Sequence, residues 1–201
     1  MTPTPDIDLA RSMFRELEDG TRVGRGIVRD TYGKGENFAH ALAERIARNL
    51  GLEIERDAAL NLYMTFAGRD RNLPRIVTGS HMDSVPQGGN YDGAAGVVAG
   101  LAAVAGLKKA GVRPKRDVTV MGIRGEEAAW FDIHYIGSKA AFGQFAAAEL
   151  AVPRSDTRRP LGDCMAEAGC DLDALRRGAA HFKPADIHAY LEVHIEQGPV
   201  L

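Results

Sequence analysis

The sequence predicts an α/β fold: a mixed, mostly parallel sheet flanked by helices. Three observations carry this. Residues 94–110 are apolar almost all round, as a helix pressed against a sheet is. Runs rich in β-formers stand before and after it, giving the strand, buried helix, strand order of a βαβ unit. The strands that open the region follow one another closely like hairpins, so the sheet is expected to be mixed.

Taken in order, Ile7 to Leu17 and Glu36 to Leu50 space their apolar residues at helical intervals, and Gly51 supplies a stop. Glu53–Arg56, Leu60–Phe66 and Arg75–Gly79 follow as consecutive strands. A glycine-rich loop at 88–93 leads into the buried helix, then Asp117–Ile123 reads as a strand and Ser138–Phe145 as a short helix. Pro153 to Pro184 is rich in charge and glycine, a surface excursion with helices at Leu161–Ala168 and Leu172–Arg177. Ala189–Glu196 alternates as a last strand.

The 201 residues suit one domain, an N-terminal helix over 1–20 followed by a core over 21–201. With 25 basic and 27 acidic residues the formal charge is −2, which leaves no general field for nucleic acid or anionic lipid. The longest weakly polar run, Ala94 to Leu107, falls short of the roughly 20 residues of a membrane span. The N-terminus shows no secretory signal, so a cytoplasmic location is expected. Cys164 and Cys170 read as reduced thiols rather than a disulfide framework.

Chemistry-bearing residues gather at four element ends. His81 and Asp83, at the end of a strand, share one face, where a carboxylate can orient an imidazole; a capped strand end with a satisfied histidine is the ordinary alternative. Asp92 stands just before the buried helix, where an N-cap aspartate needs no metal. Glu126 and Glu127 follow a strand at the sheet edge where open α/β sheets bind ligands, or form a solvated acidic turn. Glu192, His194 and Glu196 alternate along the last strand, a pattern an apolar core does not explain. Each cluster alone is weak. Together they bring imidazoles and carboxylates to one sheet edge, a mixed nitrogen and oxygen donor set suited to zinc or another first-row divalent ion, with room for an aspartate bridging two ions. The loop Gly88-Gly-Asn-Tyr-Asp-Gly-Ala-Ala-Gly lacks the dinucleotide-binding frame and the P-loop lysine.

The motifs Gly79-Ser-His-Met-Asp-Ser-Val-Pro, Gly89-Asn-Tyr-Asp-Gly, Gly125-Glu-Glu-Ala-Ala-Trp-Phe, Tyr135-Ile-Gly-Ser-Lys and His194-Ile-Glu-Gln-Gly-Pro-Val-Leu resemble those of the hydantoinase/carbamoylase amidases of the M20 metallopeptidase superfamily. These include N-carbamoyl-L-amino acid hydrolases and allantoate amidohydrolases, and the similarity runs from about Arg22 to Leu201. The resemblance implies the N-terminal part of a zinc-aminopeptidase-like catalytic domain, without the lid and dimerisation domain that family chains carry in their second half. It implies two divalent metals, zinc ahead of manganese, cobalt or nickel. His81 and His194 would hold one, Asp92 would bridge, and Glu127 would hold the second. Glu126 would be the general base, Asp83 would brace the site and Gln197 would meet the substrate. The implied reaction is attack of a metal-bridging hydroxide on an amide or ureido carbonyl, in a homodimer acting on a small ureido or N-acyl amino acid. Two departures temper it. The second metal's other histidine has no counterpart here, so this chain alone is expected to form an incomplete, inactive site. The segment Ala128-Ala-Trp-Phe-Asp-Ile-His also departs from the family's usual continuation, which leaves an aminoacylase or peptidase-type hydrolase, or a non-catalytic binding remnant, as alternatives.

Overall fold

Asp6 starts the first helix, α1 (Ile7–Thr21), by accepting the Leu9 N–H on its carboxylate at 3.2 Å. This computed structural model describes residues 2–196. Helix α1 packs beside α2 (Lys34–Asn49) after a two-stranded ribbon, β1 (Arg22–Val23) and β2 (Gly26–Ile27). Met13 and Leu17 bury the inner stripe of α1 against Leu42 and Ala43 of α2. Full burial of such a side chain contributes roughly 2 kcal/mol. The exposed Arg45–Glu16 ion pair between the same helices is worth a fraction of that, so apolar burial holds the pair together.

The main sheet contains β3 (Glu53–Arg56), β4 (Leu62–Phe66), β5 (Arg75–His81), β6 (Val118–Ile123) and β7 (Ile187–Leu191), in the spatial order β3-β4-β6-β5-β7. The sheet is mixed, as the sequence predicts. β3, β4 and β6 pair antiparallel, whereas β6, β5 and β7 run parallel. The crossover from β5 to β6 is α3 (Ala94–Lys109), which inserts β6 between β4 and β5 and so separates two strands adjacent in the chain. Helix α3 lies on the sheet with Val97, Val98, Leu101 and Val104 buried against Leu62, Met64 and Val120. Three strand ends, those of β6, β5 and β7, therefore open at one edge.

A second apolar cluster forms between β6 and β7. It contains α4 (Ile136–Ala141), α5 (Leu161–Ala168) and α6 (Leu172–Arg176). The excursion over 153–184 is packed rather than loose: Leu161, Cys164, Met165 and Leu175 are buried with Trp130, Phe131 and Ile136. Most of its charged residues lie on its outer face, whereas Arg154 turns inward over the Trp130 ring and pairs with Asp30 at 2.9 Å. Helix α4 also begins earlier than expected and ends at Ala141, because Phe145 turns inward into this cluster instead of continuing the helical face. Both cysteines are free. Among the described residues no helix is long and apolar enough to cross a membrane.

One strand is shorter than its sequence pattern. Pairing of β7 with β5 stops at Thr78 opposite Leu191, so Glu192, His194 and Glu196 lie beyond the strand. Their alternation reflects side chains gathered at the sheet edge, where Glu192 reaches Ser80 and His194 reaches His81, not a two-faced strand.

Candidate metal centre

His81 is the last residue of β5 and is 1% exposed. Its Nδ1 lies 3.0 Å from the Asp83 carbonyl oxygen and 3.3 Å from an Asp83 carboxylate oxygen. Both neighbours can only accept, so Nδ1 carries the proton and Nε2 presents its lone pair. Around that Nε2 stand His194 Nε2 at 3.1 Å, Asp92 Oδ1 at 3.9 Å and Glu126 Oε2 at 3.9 Å. The ring of His194 is fixed in the same sense, with Nδ1 2.8 Å from the Ile195 carbonyl oxygen. Two imidazole lone pairs facing at 3.1 Å repel unless a proton or a cation lies between them. The donor chemistry therefore fits a divalent ion.

Two ligand sets can be drawn, each with its donor atoms within 4.8 Å of one another: His81, Asp92 and His194, and His81, Glu126 and Glu127. Five of the seven residues named from the sequence thus meet in space. Asp83 joins them from below. Its buried carboxylate accepts the Thr31 hydroxyl at 2.8 Å and the backbone N–H groups of Glu126 at 3.0 Å and Glu127 at 3.1 Å, tying the end of β5 to the turn after β6. Asp92 does not cap α3. The cap position is Gly93, with no side-chain bond to the first turn, and the Asp92 main-chain oxygen, not its carboxylate, accepts the Ala94 N–H. Gln197 falls outside the described residues.

The electrostatics agree with an excess of negative charge. Burial alone would push the His81 imidazole down, but the Asp83 carboxylate, followed by Glu126 and Asp92, overcomes it and raises the pKa to about 9. Burial, then the charge of Asp92, pushes the Glu127 carboxyl up to about 7 against the opposing pull of His81. A cation at the centre would relieve both.

Local sequence explains how the backbone approaches so closely. Gly93 has φ +61°, and a Cβ there would sit 2.5 Å from the His81 ring. Two buried groups escaped sequence reading. Arg29 is fully buried and donates to the main-chain oxygens of Met82 at 2.8 Å, Asn90 at 3.4 Å and Asp92 at 2.6 Å, so one guanidinium pins both ends of the loop that carries Asp83 and Asp92. Glu36 accepts from the Gly125 N–H at 2.9 Å and from Arg124 at 2.9 Å, fixing the turn before Glu126. The available signal was a charge immediately after an apolar pair, Ile27-Val28-Arg29, and a glutamate on the inward stripe of α2.

A mixed sheet gathers His and carboxylate groups at the ends of its parallel strands, a donor set that a divalent ion could occupy. The Peptidase family M28 model matches residues 61–158. The chain is 35% identical over 184 residues to an N-carbamoyl-L-amino acid amidohydrolase of Geobacillus stearothermophilus, which covers 92% of this chain and 44% of that protein. It is 33% identical to an allantoate amidohydrolase of Bacillus subtilis, covering 90% and 43%. A crystal structure of a hydantoinase/carbamoylase family amidase from Burkholderia ambifaria superposes with a TM-score of 0.79 at 31% identity, covering 95% of this chain and 46% of that one. The chain is a homologue of the hydantoinase/carbamoylase amidases, and it spans less than half the length of these relatives.

Proposed function

We propose that this chain supplies the central part of a metal-dependent amidohydrolase site that cleaves a linear amide or ureido C–N bond. The substrate class is an N-carbamoyl-L-amino acid or an allantoate-like ureido acid. The observation that carries this reading is the convergence on His81 Nε2 of a second imidazole and two carboxylates from distant parts of the chain. The names of similar proteins point to the same bond type: N-carbamoyl-L-amino acid, allantoate and ureidoglycolate hydrolysis.

In this reading His81, Asp92 and His194 would hold one divalent ion, and Asp92 and Glu127 would serve a second. Such ions would polarise the scissile carbonyl and lower the pKa of a water molecule. The protein's own work is positioning and proton transfer. Glu126 is 29% exposed on its side chain where Asp92 is 2%, and in this reading it takes a proton from the attacking water. It returns that proton to the departing nitrogen. Asp83 keeps His81 in the tautomer that offers Nε2 and holds the Glu126 backbone. Gln197 contacts the substrate, and the protein works as a homodimer.

Glu126→Gln tests the assignment in the protein that bears this chain. Turnover of N-carbamoyl amino acids, allantoate and ureidoglycolate should drop by at least about 100-fold while bound zinc, measured by elemental analysis, is retained. Undiminished turnover would remove Glu126 from the role, and absence of any stoichiometric first-row metal would remove the reaction class.

A further inference from the structure

His194 is brought to the centre by a segment that no strand holds. The ladder between β5 and β7 ends at Leu191, yet three residues later an exposed imidazole must sit 3.1 Å from His81. We infer that Glu192 is a positioning residue, a carboxylate latch that closes the gap between the end of β5 and the segment after β7 and thereby sets the His81–His194 separation. This inference rests on the metal reading above and names the group that makes the second imidazole available to it.

The contacts are specific. Ser80, buried and next to His81 in the chain, donates its hydroxyl to Glu192 Oε1 at 2.5 Å. Tyr190, the fourth residue of β7, donates its hydroxyl to Glu192 Oε2 at 3.1 Å. One carboxylate therefore links a residue one position before His81 to a residue near the end of β7, just where backbone pairing has stopped. Hydroxyl-to-carboxylate bonds are of the stronger, charge-assisted kind. The neighbouring packing leaves room for this approach: a Cβ at Gly96 of α3 would lie 2.6 Å from Ser80 Cβ and 2.7 Å from the Val193 carbonyl oxygen. A side chain there would force the 193 backbone away from β5. The proximity is thus built from three sides, by Ser80 on the strand, by Gly96 on the helix and by Glu192 on the incoming segment.

The consequence concerns metal affinity more than folding. Without the latch, His194 samples many positions and must be ordered at the moment of binding, which weakens coordination by the entropy of fixing that segment. Cobalt(II) is the probe, because its visible absorption reports the number and type of donors. In the protein that bears this chain, Glu192→Ala and Ser80→Ala should each lower cobalt affinity about 10-fold and reduce the intensity of the bands that wild type shows. Glu192→Gln, whose amide oxygen still accepts from Ser80, should restore most of the affinity. A purely structural effect would instead lower the metal-free unfolding free energy without rescue by glutamine. Affinity within twofold of wild type for both alanine variants would overturn the latch while leaving the metal reading intact. Failure of the wild-type protein that bears this chain to bind cobalt, or binding by His194→Ala equal to wild type, would overturn the metal reading itself. Should Glu192→Ala not fold, the cobalt affinity of Ser80→Ala relative to wild type decides for or against the latch by the same thresholds.

Discussion

The two halves of the centre are held in different ways. His81, Asp83 and the Glu126–Glu127 turn are embedded in the sheet: backbone ladders run to His81 on β5 and Ile123 on β6, and the Asp83 carboxylate ties the two strand ends together. His194 hangs on an exposed segment past the last ladder, fastened by side chains. In the first half, fold stability and ligand placement are one property. In the second they separate, so the same kind of substitution should have opposite signatures in the two halves.

The largest expected effect breaks the embedded half. Asp83→Ala removes the acceptor of the Thr31 hydroxyl and of two backbone N–H groups, and strips His81 of its nearest counter-charge. Breaking a buried, hydrogen-bonded charge in this way costs about 3–5 kcal/mol. Urea unfolding of the metal-free chain measures it. A loss below about 1 kcal/mol would mean that the strand ends are held together without Asp83, and the contrast between the halves would collapse.

A smaller effect sharpens the same contrast through pH. His40 lies buried on α2 with its ring against Gly122 of β6, next to Ile123 at the end of that strand. Burial, then the charges of Arg124 and Arg56, hold its pKa well below the usual histidine value, while only the Ile123 backbone favours the charged form. The folded protein keeps His40 neutral and the unfolded chain protonates it below about pH 6.5, so stability falls as pH drops through that value, by about 1.4 kcal/mol per unit. Glu36 acts in the other sense. Burial foremost raises its carboxyl to about 7, so its contribution falls as pH rises from about 4.5 to 7. Comparing wild type with His40→Leu cancels Glu36, and the variant's stability should lack the acid-side loss between about pH 6.5 and 5. Parallel curves would show that His40 is not the group responsible.

What was readable in the sequence follows the same division. The apolar runs of α3, β5 and β6 and the clusters at residues 81–83, 92 and 126–127 announced both the fold and the embedded half, because burial imposes strict patterns there. The interior polar supports did not announce themselves. Arg29 and Glu36 become intelligible only once β2, α2 and the 82–92 loop are brought together in space, since a charge at an inward position does not name partners that lie more than 50 residues away. The alternation at 192–196 was legible as a cluster of ligands and misleading as a strand, because period two fits both and only the register of β5 against β7 decides between them. The packed inner face of residues 153–184 was hidden for a related reason: short helices leave few apolar positions among many charges.

The smallest expected effect on folding is at His194, and it is the one that tells the halves apart. The ring is exposed and lies past the last ladder, so His194→Ala should change metal-free stability by no more than about 0.5 kcal/mol. A ligand that binds only the folded chain adds stability by mass action, about 2.7 kcal/mol at a free concentration 100 times its dissociation constant. Zinc should therefore stabilise the wild-type chain by roughly that amount under those conditions and stabilise His194→Ala far less, although the two proteins start equally stable without metal. Paired urea titrations with and without zinc read both quantities at once. If the alanine variant were already several kcal/mol less stable without metal, the exposed segment would be part of the fold in the same sense as β5. If zinc stabilised both proteins equally, the second imidazole would contribute nothing to the ion's coordination.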